Sequence, residues 1–357
     1  MPNSTMRQNE LRSFLSPYKI FYHADRLNSW LADGRCAPIT VSLDLTLECN
    51  HRCPTCPYRA ASCHELLTSW RNVKRVLDEL ASAGVRGVLF TGGGEPLVNP
   101  HARRAISYAH DLGMKVALIT NGHSLNAETA SVLVATCDWV RISVDAATPD
   151  LYAELHGVTV NAFDRVLANI QHLVQAKCNT QSGITVGIGM LTSCATIDQM
   201  VRFADLAETL QADYCQFRPL IAPTQEDVLA HREQFETQLA LAREVVERGE
   251  TQVIASPSKY SWVLDGSHAL FTECFAPHFA NVVGADGVMY LCPHLRYKSE
   301  YAIADLLSKS WLAQRYRALD CLLTNLPGSS CPALCKHAAL NSFLQRVTNS
   351  RTHACFI

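Results

Sequence analysis

Residues 45–59 read LTLECNHRCPTCPYR and carry three cysteines, Cys49, Cys53 and Cys56, in the spacing C-x3-C-x2-C. Three thiols are one short of the four ligands that a closed tetrahedral metal site needs. Two readings compete. The thiolates hold a zinc ion whose fourth ligand is His51 or Cys63, both near in sequence. Alternatively they hold three irons of a [4Fe–4S] cube and leave the fourth iron open. Most four-iron clusters take four cysteines. An open iron is a Lewis acid that a small molecule can chelate, so on this reading the missing thiol is itself the binding site.

The stretch leaves a short β-branched run, TVSLDL (40–45), and similar runs recur along the chain. They are GVLFT (87–91), KVALIT (115–120), VRISVD (140–145), ITVGIGML (184–191) and YCQFRPL (214–220). Segments of helical period lie between them, at 68–84, 100–113, 124–136, 161–177 and 195–211. Near-continuous apolar strands alternating with helices predict parallel βαβ units. Six units are too few for a closed eight-stranded barrel; a partial barrel and a doubly wound sheet both remain open. In either, chemistry gathers at the carboxyl ends of the strands. The motifs obey this rule: the cysteines follow strand one, GGGEP (92–96) strand two and TNG (120–122) strand three, while SVD (143–145) closes strand four.

The 357 residues are 48% apolar and 18% charged with a formal charge of −2, an ordinary globular composition without a basic field for nucleic acid. No apolar run approaches the ~20 residues that span a bilayer, and the start lacks an apolar signal core. A cytoplasmic protein with no membrane and no nucleic-acid partner is expected. Fifteen cysteines without an export signal point to metal or iron–sulfur binding, because they cluster at 49–63 and 274–335. The scattered Cys36, Cys137, Cys178, Cys194, Cys215 and Cys355 read as core or surface residues. The organisation expected is a helical lead-in at 1–38, a core at 39–250 closed by a charged helix over 224–250, and a connector at 251–273. A smaller module follows at 274–341, then a tail at 342–357.

Cys49, Cys53 and Cys56 after a first strand, followed by GGGEP after a second, resemble the radical S-adenosylmethionine (SAM) enzymes. The resemblance covers about 40–250 and implies an α/β fold, a partial (β/α)6 TIM-like barrel. It also implies a [4Fe–4S] cluster on the three cysteines and SAM chelated at its open iron. Reductive cleavage of SAM would then give a 5′-deoxyadenosyl radical that abstracts a substrate hydrogen. By the same resemblance Gly92, Gly93 and Gly94 contact the methionyl ammonium, with Glu95 a weaker candidate. Asn121, Ser143, Asp145, Ile188 and Arg218 complete the expected SAM contacts. For several of these a plainer role stands beside the ligand role. Thr120 and Asn121 suit a helix cap, Asp145 a turn, Ile188 core packing, and Arg218 a structural or substrate carboxylate. The residue before the third cysteine, usually aromatic in the family, is Thr55 here, and Tyr58 is the substitute surface for adenine.

Cys274-x12-Gly287-x4-Cys292, around a hairpin turn GADG (284–287), followed by Cys331-x3-Cys335, resembles the SPASM and twitch extensions of these enzymes. That implies a small α+β iron–sulfur module with one auxiliary [4Fe–4S] cluster on Cys274, Cys292, Cys331 and Cys335, with Cys321 as the substitute ligand. His294, Arg296, His337 and Asn341 lie nearby, as surface residues or substrate contacts. The ~40 residues before strand one are too few for the leader-binding segment of roughly 80–100 residues common in peptide maturases of the family. A small-molecule substrate is therefore expected, sugar-, aminocyclitol- or nucleotide-like, oxidised overall, with a flavodoxin- or ferredoxin-type electron donor. Epimerisation, elimination or decarboxylation of such a metabolite, peptide maturation, and a cluster or zinc scaffold without turnover are the alternatives. Epimerisation would need a thiol hydrogen donor, for which Cys215 and Cys63 are the candidates.

Overall fold

Seven strands run parallel in chain order: β1 (Thr40–Asp44), β2 (Gly87–Thr91), β3 (Lys115–Thr120), β4 (Trp139–Ser143), β5 (Thr185–Thr192), β6 (Tyr214–Pro219) and β7 (Gln252–Ala255). The computed structural model describes residues 16–220, 231–247, 249–255, 271–323 and 335–349. Beyond β1 the sheet continues through β8 (Ala280–Val283), parallel to β1, and then β9 (Val288–Tyr290) and β10 (Ala302–Asp305), both antiparallel to their neighbours. The order is β10-β9-β8-β1-β2-β3-β4-β5-β6-β7, an open, mostly parallel sheet.

Alternation along the strands decides which side chains meet the helices. In β2, Val88 and Phe90 are buried in the helix-facing core; in β4, Val140 and Ile142 are. Leu89 and Thr91 in β2, and Arg141 and Ser143 in β4, point the other way, into the lumen. Against the outer face pack helices such as Trp70–Ser82, which buries Val73, Val76, Leu77 and Leu80, an i, i+3, i+4, i+7 stripe.

The described structure departs from the expected organisation at three places. The segment expected as a connector contains β7, whose pairing with β6 carries the parallel series to seven strands. The charged helix expected over 224–250 is seen as Arg232–Val246, with 221–230 and 248 outside the described residues. The carboxyl-terminal cysteine segment shares the main sheet, since Thr40–Leu43 of β1 register with Ala280–Val283 of β8. Its hairpin forms where GADG predicts it, with Gly287 at φ +76°. A second core joins the lead-in helix Ala24–Asp33 to this segment, through Trp30 against Phe275 and Phe279, and Leu344 of the helix Ala338–Asn349.

A buried ion pair locks the two regions together at the site-bearing end. Asp44, the last residue of β1, is 0% exposed, and Arg296 Nη1 donates to both its carboxylate oxygens at 2.7 Å. Tyr297 donates its hydroxyl to the same carboxylate at 2.9 Å. Burial pushes the Asp44 carboxyl up, while Arg296, Tyr297 and the Gly93 N–H oppose that rise. Burial works against the charge on Arg296 as well, but Asp44 and Tyr58 outweigh it and hold its pKa above the ordinary value. Arg296 also donates to the Gly92 carbonyl at 3.1 Å and lies 4.5 Å over the Tyr58 ring. The surface position and the substrate contact considered for Arg296 both give way to this clamp.

Arg296→Ala would leave the Asp44 carboxylate buried without its partner, an expected cost of about 3–5 kcal/mol. The double change Asp44→Asn with Arg296→Met removes both charges and is expected to recover most of that loss in urea unfolding.

Candidate functional site

The cysteine loop has little regular structure and is fixed by its neighbours. On one side the glycine loop after β2 bonds to it: Gly94 N–H donates to Thr46 O at 2.9 Å and Glu95 N–H to Glu48 O at 2.8 Å. The contact is so close that a Cβ on Gly94 would stand 2.1 Å from Glu48 O. Opposite, Arg52 N–H donates to His156 O at 2.9 Å, at the end of the helix Pro149–His156. That helix is capped by Gly157 at φ +60°, where a Cβ would meet Arg52 O at 2.6 Å. Glu65 completes the support by accepting from the Thr46 hydroxyl and Leu47 N–H.

These elements enclose a cavity of about 440 Å³ at the carboxyl ends of the strands. Cys49, Cys53, Cys56, Tyr58, Gly92, Gly93, Gly94, Glu95, Asn121, Ser143 and Asp145 all line it, so eleven of the thirteen expected cluster and SAM residues converge. The other two do not. Ile188 is in register with Ile142 and is fully buried in the helix-facing core, so core packing, not adenine contact, describes its side chain. Arg218, next to last in β6 and in register with Leu191 of β5, is not among the residues that line this cavity.

Several lining residues hold the site's shape. Glu95 is buried and accepts from the Thr120 hydroxyl at 2.6 Å, Asn121 N–H at 2.7 Å and Leu97 N–H at 3.1 Å, so its carboxylate is spent on three donors. Thr120 and Asn121 do not cap the next helix; Asn126 does, accepting from Thr129 N–H. Instead Asn121 Nδ2 donates to Asn50 Oδ1 at 2.6 Å and approaches Cys49 Sγ at 3.9 Å. Asp145, at φ +60°, accepts from Leu191 N–H at 2.7 Å and acts as a turn residue on the cavity wall. Tyr58 is tied by its hydroxyl to Pro293 O while its ring supports Arg296.

Sequence reasoning named His51 beside the cysteines but missed His156. His51, Cys53 and His156 bring donor atoms within 4.8 Å of one another. His156 Nε2 lies 3.0 Å from Val144 O and its Nδ1 3.4 Å from Cys53 Sγ. Burial, with His156 and His123 adding to it, lowers His51 to about 3, so its ring is neutral at pH 7. This set uses only one of the three loop cysteines. Cys63, the other zinc ligand considered, has its thiol beside Asp286 and pushed up to about 12 by burial and nearby carboxylates. Its neighbours in the fold, and not its spacing, remove it from the cysteine loop.

Three thiols lining one cavity suit a soft iron–sulfur centre. Burial, with Cys56 and Cys49 adding to it, pushes Cys53 up to about 12, so thiolate formation there calls for a bound cation. In the carboxyl-terminal segment Cys292 and Cys335 lie within electrostatic reach of each other, and Cys274 accepts from Asn341 Nδ2 at 3.5 Å. Asn341 is buried, its Oδ1 accepting from Phe275 and Ala276 N–H, which makes it a structural residue of that segment. Cys321 is exposed on the helix Trp311–Leu322, and Cys331 lies outside the described residues. Cys215, considered as a hydrogen donor, is fully buried in the helix-facing core.

Gly94→Ala is expected to push the glycine loop off the cysteine loop, costing about 1–3 kcal/mol. Iron uptake on anaerobic reconstitution should fall with it, as measured by iron content, while far-ultraviolet circular dichroism stays unchanged.

Comparison with known proteins agrees with this geometry. Residues 43–202 match the Radical SAM superfamily. The AdoMet-dependent heme synthase of Methanosarcina barkeri is 32% identical over 180 residues, 49% of this chain and 49% of that protein. The mycofactocin maturase MftC of Mycobacterium tuberculosis is 29% identical over 275 residues, 75% of this chain and 68% of that protein. This chain thus spans about half of the heme synthase and about two thirds of the maturase. Among solved structures, Streptococcus suis SuiB bound to S-adenosylmethionine aligns with a TM-score of 0.63 at 14% identity, covering 82% of this chain and 69% of SuiB. SuiB has also been solved bound to its precursor peptide SuiA. The segment that carries the site, residues 43–202, is thus similar to the Radical SAM superfamily, whose cofactors are a [4Fe–4S] cluster and SAM.

Proposed function

We propose that this chain is a radical SAM enzyme that abstracts a hydrogen atom from a C–H bond of a peptide substrate. The observation that carries the chemistry is the convergence of Cys49, Cys53 and Cys56 with Gly92, Gly93, Gly94, Asn121 and Ser143 around one cavity. When bound, the cluster and SAM supply a 5′-deoxyadenosyl radical by reductive cleavage. The three cysteines would hold the cluster. The carbonyls of the glycine loop, with Gly92 oriented by Arg296, would accept from the SAM ammonium. Ser143 and Tyr58 would line the nucleoside, with the buried rings of His51 and His156 packed beside Cys53. The maturase that matches three quarters of the chain, and the binding of a precursor peptide by SuiB, favour a peptide over the sugar-like metabolite. The match to a heme synthase favours a second reading, in which the substrate is a non-peptide metabolite.

An auxiliary cluster on Cys274, Cys292, Cys331 and Cys335 accompanies this reading, able to take an electron from a substrate radical. The electron that reduces the first cluster would come from a ferredoxin- or flavodoxin-type donor.

After anaerobic reconstitution and chemical reduction, the chain should release 5′-deoxyadenosine from SAM, and Cys53→Ala should abolish that release. Cys292→Ala should lower iron from about eight to about four per chain and spare SAM cleavage. Intact SAM after reduction of iron-loaded protein would defeat the proposal. Deuterium from labelled peptides, not from labelled polyols, should appear in 5′-deoxyadenosine.

A further inference from the structure

One cluster of rings beside Cys53 holds polar atoms that nothing so far explains. His51 is 5% exposed, and both its ring nitrogens are buried without a hydrogen-bond partner. The Nδ1 of His123 and the hydroxyl of Tyr152 are buried unpaired as well. Ring centroids lie 5.2 Å apart for His51 and His156, 5.5 Å for His51 and His123, and 4.3 Å for Tyr152 and His156. Folded proteins seldom leave buried polar groups unpaired, and a ring that leaves both nitrogens so is suited to a ligand that is not a hydrogen-bond partner.

His156 is oriented for such a ligand. Its Nε2 lies 3.0 Å from Val144 O, and a carbonyl only accepts, so Nε2 carries the proton of the neutral ring. Asp145 Oδ2 faces the same nitrogen at 3.7 Å. Nδ1 then presents its lone pair 3.4 Å from Cys53 Sγ. An imidazole held through its far N–H by a carbonyl or carboxylate is the arrangement found behind metal-ligating histidines. His51, Cys53 and His156 together bring three donor atoms within 4.8 Å of one another. Neighbouring donors of a tetrahedral zinc site stand about 3.3–3.6 Å apart. The edge from Cys53 to His156 already has that length, and the His51 ring has no hydrogen bond to break in moving closer.

We propose that His51, Cys53 and His156 form a second metal site, for zinc or a divalent cation of similar softness, which shares Cys53 with the iron–sulfur cluster. Two imidazoles and one thiolate suit zinc, with the fourth position left to water. Such donors hold zinc more tightly than ferrous iron. Binding releases the Cys53 proton to solvent and changes no oxidation state. Because one sulfur serves both centres, zinc at the histidines and the cluster on the cysteines exclude each other, and zinc blocks cluster assembly. The exclusion rests on the radical SAM reading; the zinc site does not.

The test uses the full chain, freed of cluster and kept from oxygen, titrated with zinc against a chromophoric chelator. Wild type should bind one zinc equivalent whose affinity falls by at least about 100-fold in His51→Leu and in His156→Leu, more than the loss of an outer-shell partner costs. His51→Leu removes a ring that makes no hydrogen bond, so it serves if His156→Leu, which breaks the bond to Val144, does not fold. Cys49→Ser combined with Cys56→Ser should keep that equivalent, and Cys53→Ala should lose it. Zinc added before reconstitution should lower the iron taken up by wild type by about four per chain more than that taken up by His51→Leu. Loss of the equivalent in the serine pair with retention in the histidine variants places the metal on the three thiols and overturns the proposal. A zinc count that no histidine change alters also overturns it, as does equal loss of iron in wild type and His51→Leu. Release of 5′-deoxyadenosine by zinc-free, reconstituted wild type separates the two claims: without it the radical reading fails, and the zinc site still stands or falls by the titration.

Discussion

The ion pair between Asp44 and Arg296 is the constraint on which the site depends. It stands where β1 ends and the cysteine loop begins, and its guanidinium reaches the Gly92 carbonyl and the Tyr58 ring as well as the carboxylate. Two charges removed from water gain little net stability from each other. Their value here is positional, because one planar group fixes the start of the cysteine loop, the glycine loop and the residue two places past Cys56. A hydrophobic pair could fill the same volume but could not orient a carbonyl. The pair also explains why the carboxyl-terminal segment is bonded to β1 through β8, since Arg296 must return to the strand end from more than 250 positions away.

Around this joint the cysteine loop is held largely through main-chain bonds. Gly94 and Gly157 bring two loops so close to it that any side chain would enter a carbonyl, and Glu95 ties three more donors together. Burial of hydrogen-bonded main chain gives rigidity without placing side chains in the cavity. The cavity wall is thus left to thiols, carbonyls and a few small polar groups.

Much of this was legible in the sequence because it depends on local pattern. β-Branched runs at a regular spacing gave the parallel strands, and motifs at their carboxyl ends gave the cysteine, glycine, TNG and SVD loops. What stayed hidden depends on parity or on distant partners. Ile188 and Gly189 are adjacent, but register with Ile142 and Ser143 sends the isoleucine to the helices and leaves the glycine facing the lumen. Arg296 looked like a surface residue because its partner is 252 positions earlier. His156 carried no motif; its place beside Cys53 follows from the turn at Gly157. β7 is only four residues long, too short for a periodic signal within a mixed segment.

The same parity separates two kinds of chemistry along one strand. Ser143 ends β4 at the cavity, and Arg141 lies two residues deeper on the same face, roughly 6–7 Å along the strand. The arrangement keeps the Arg141 charge, bonded to Gln216 of β6, apart from the thiols, beside which His51 is neutral.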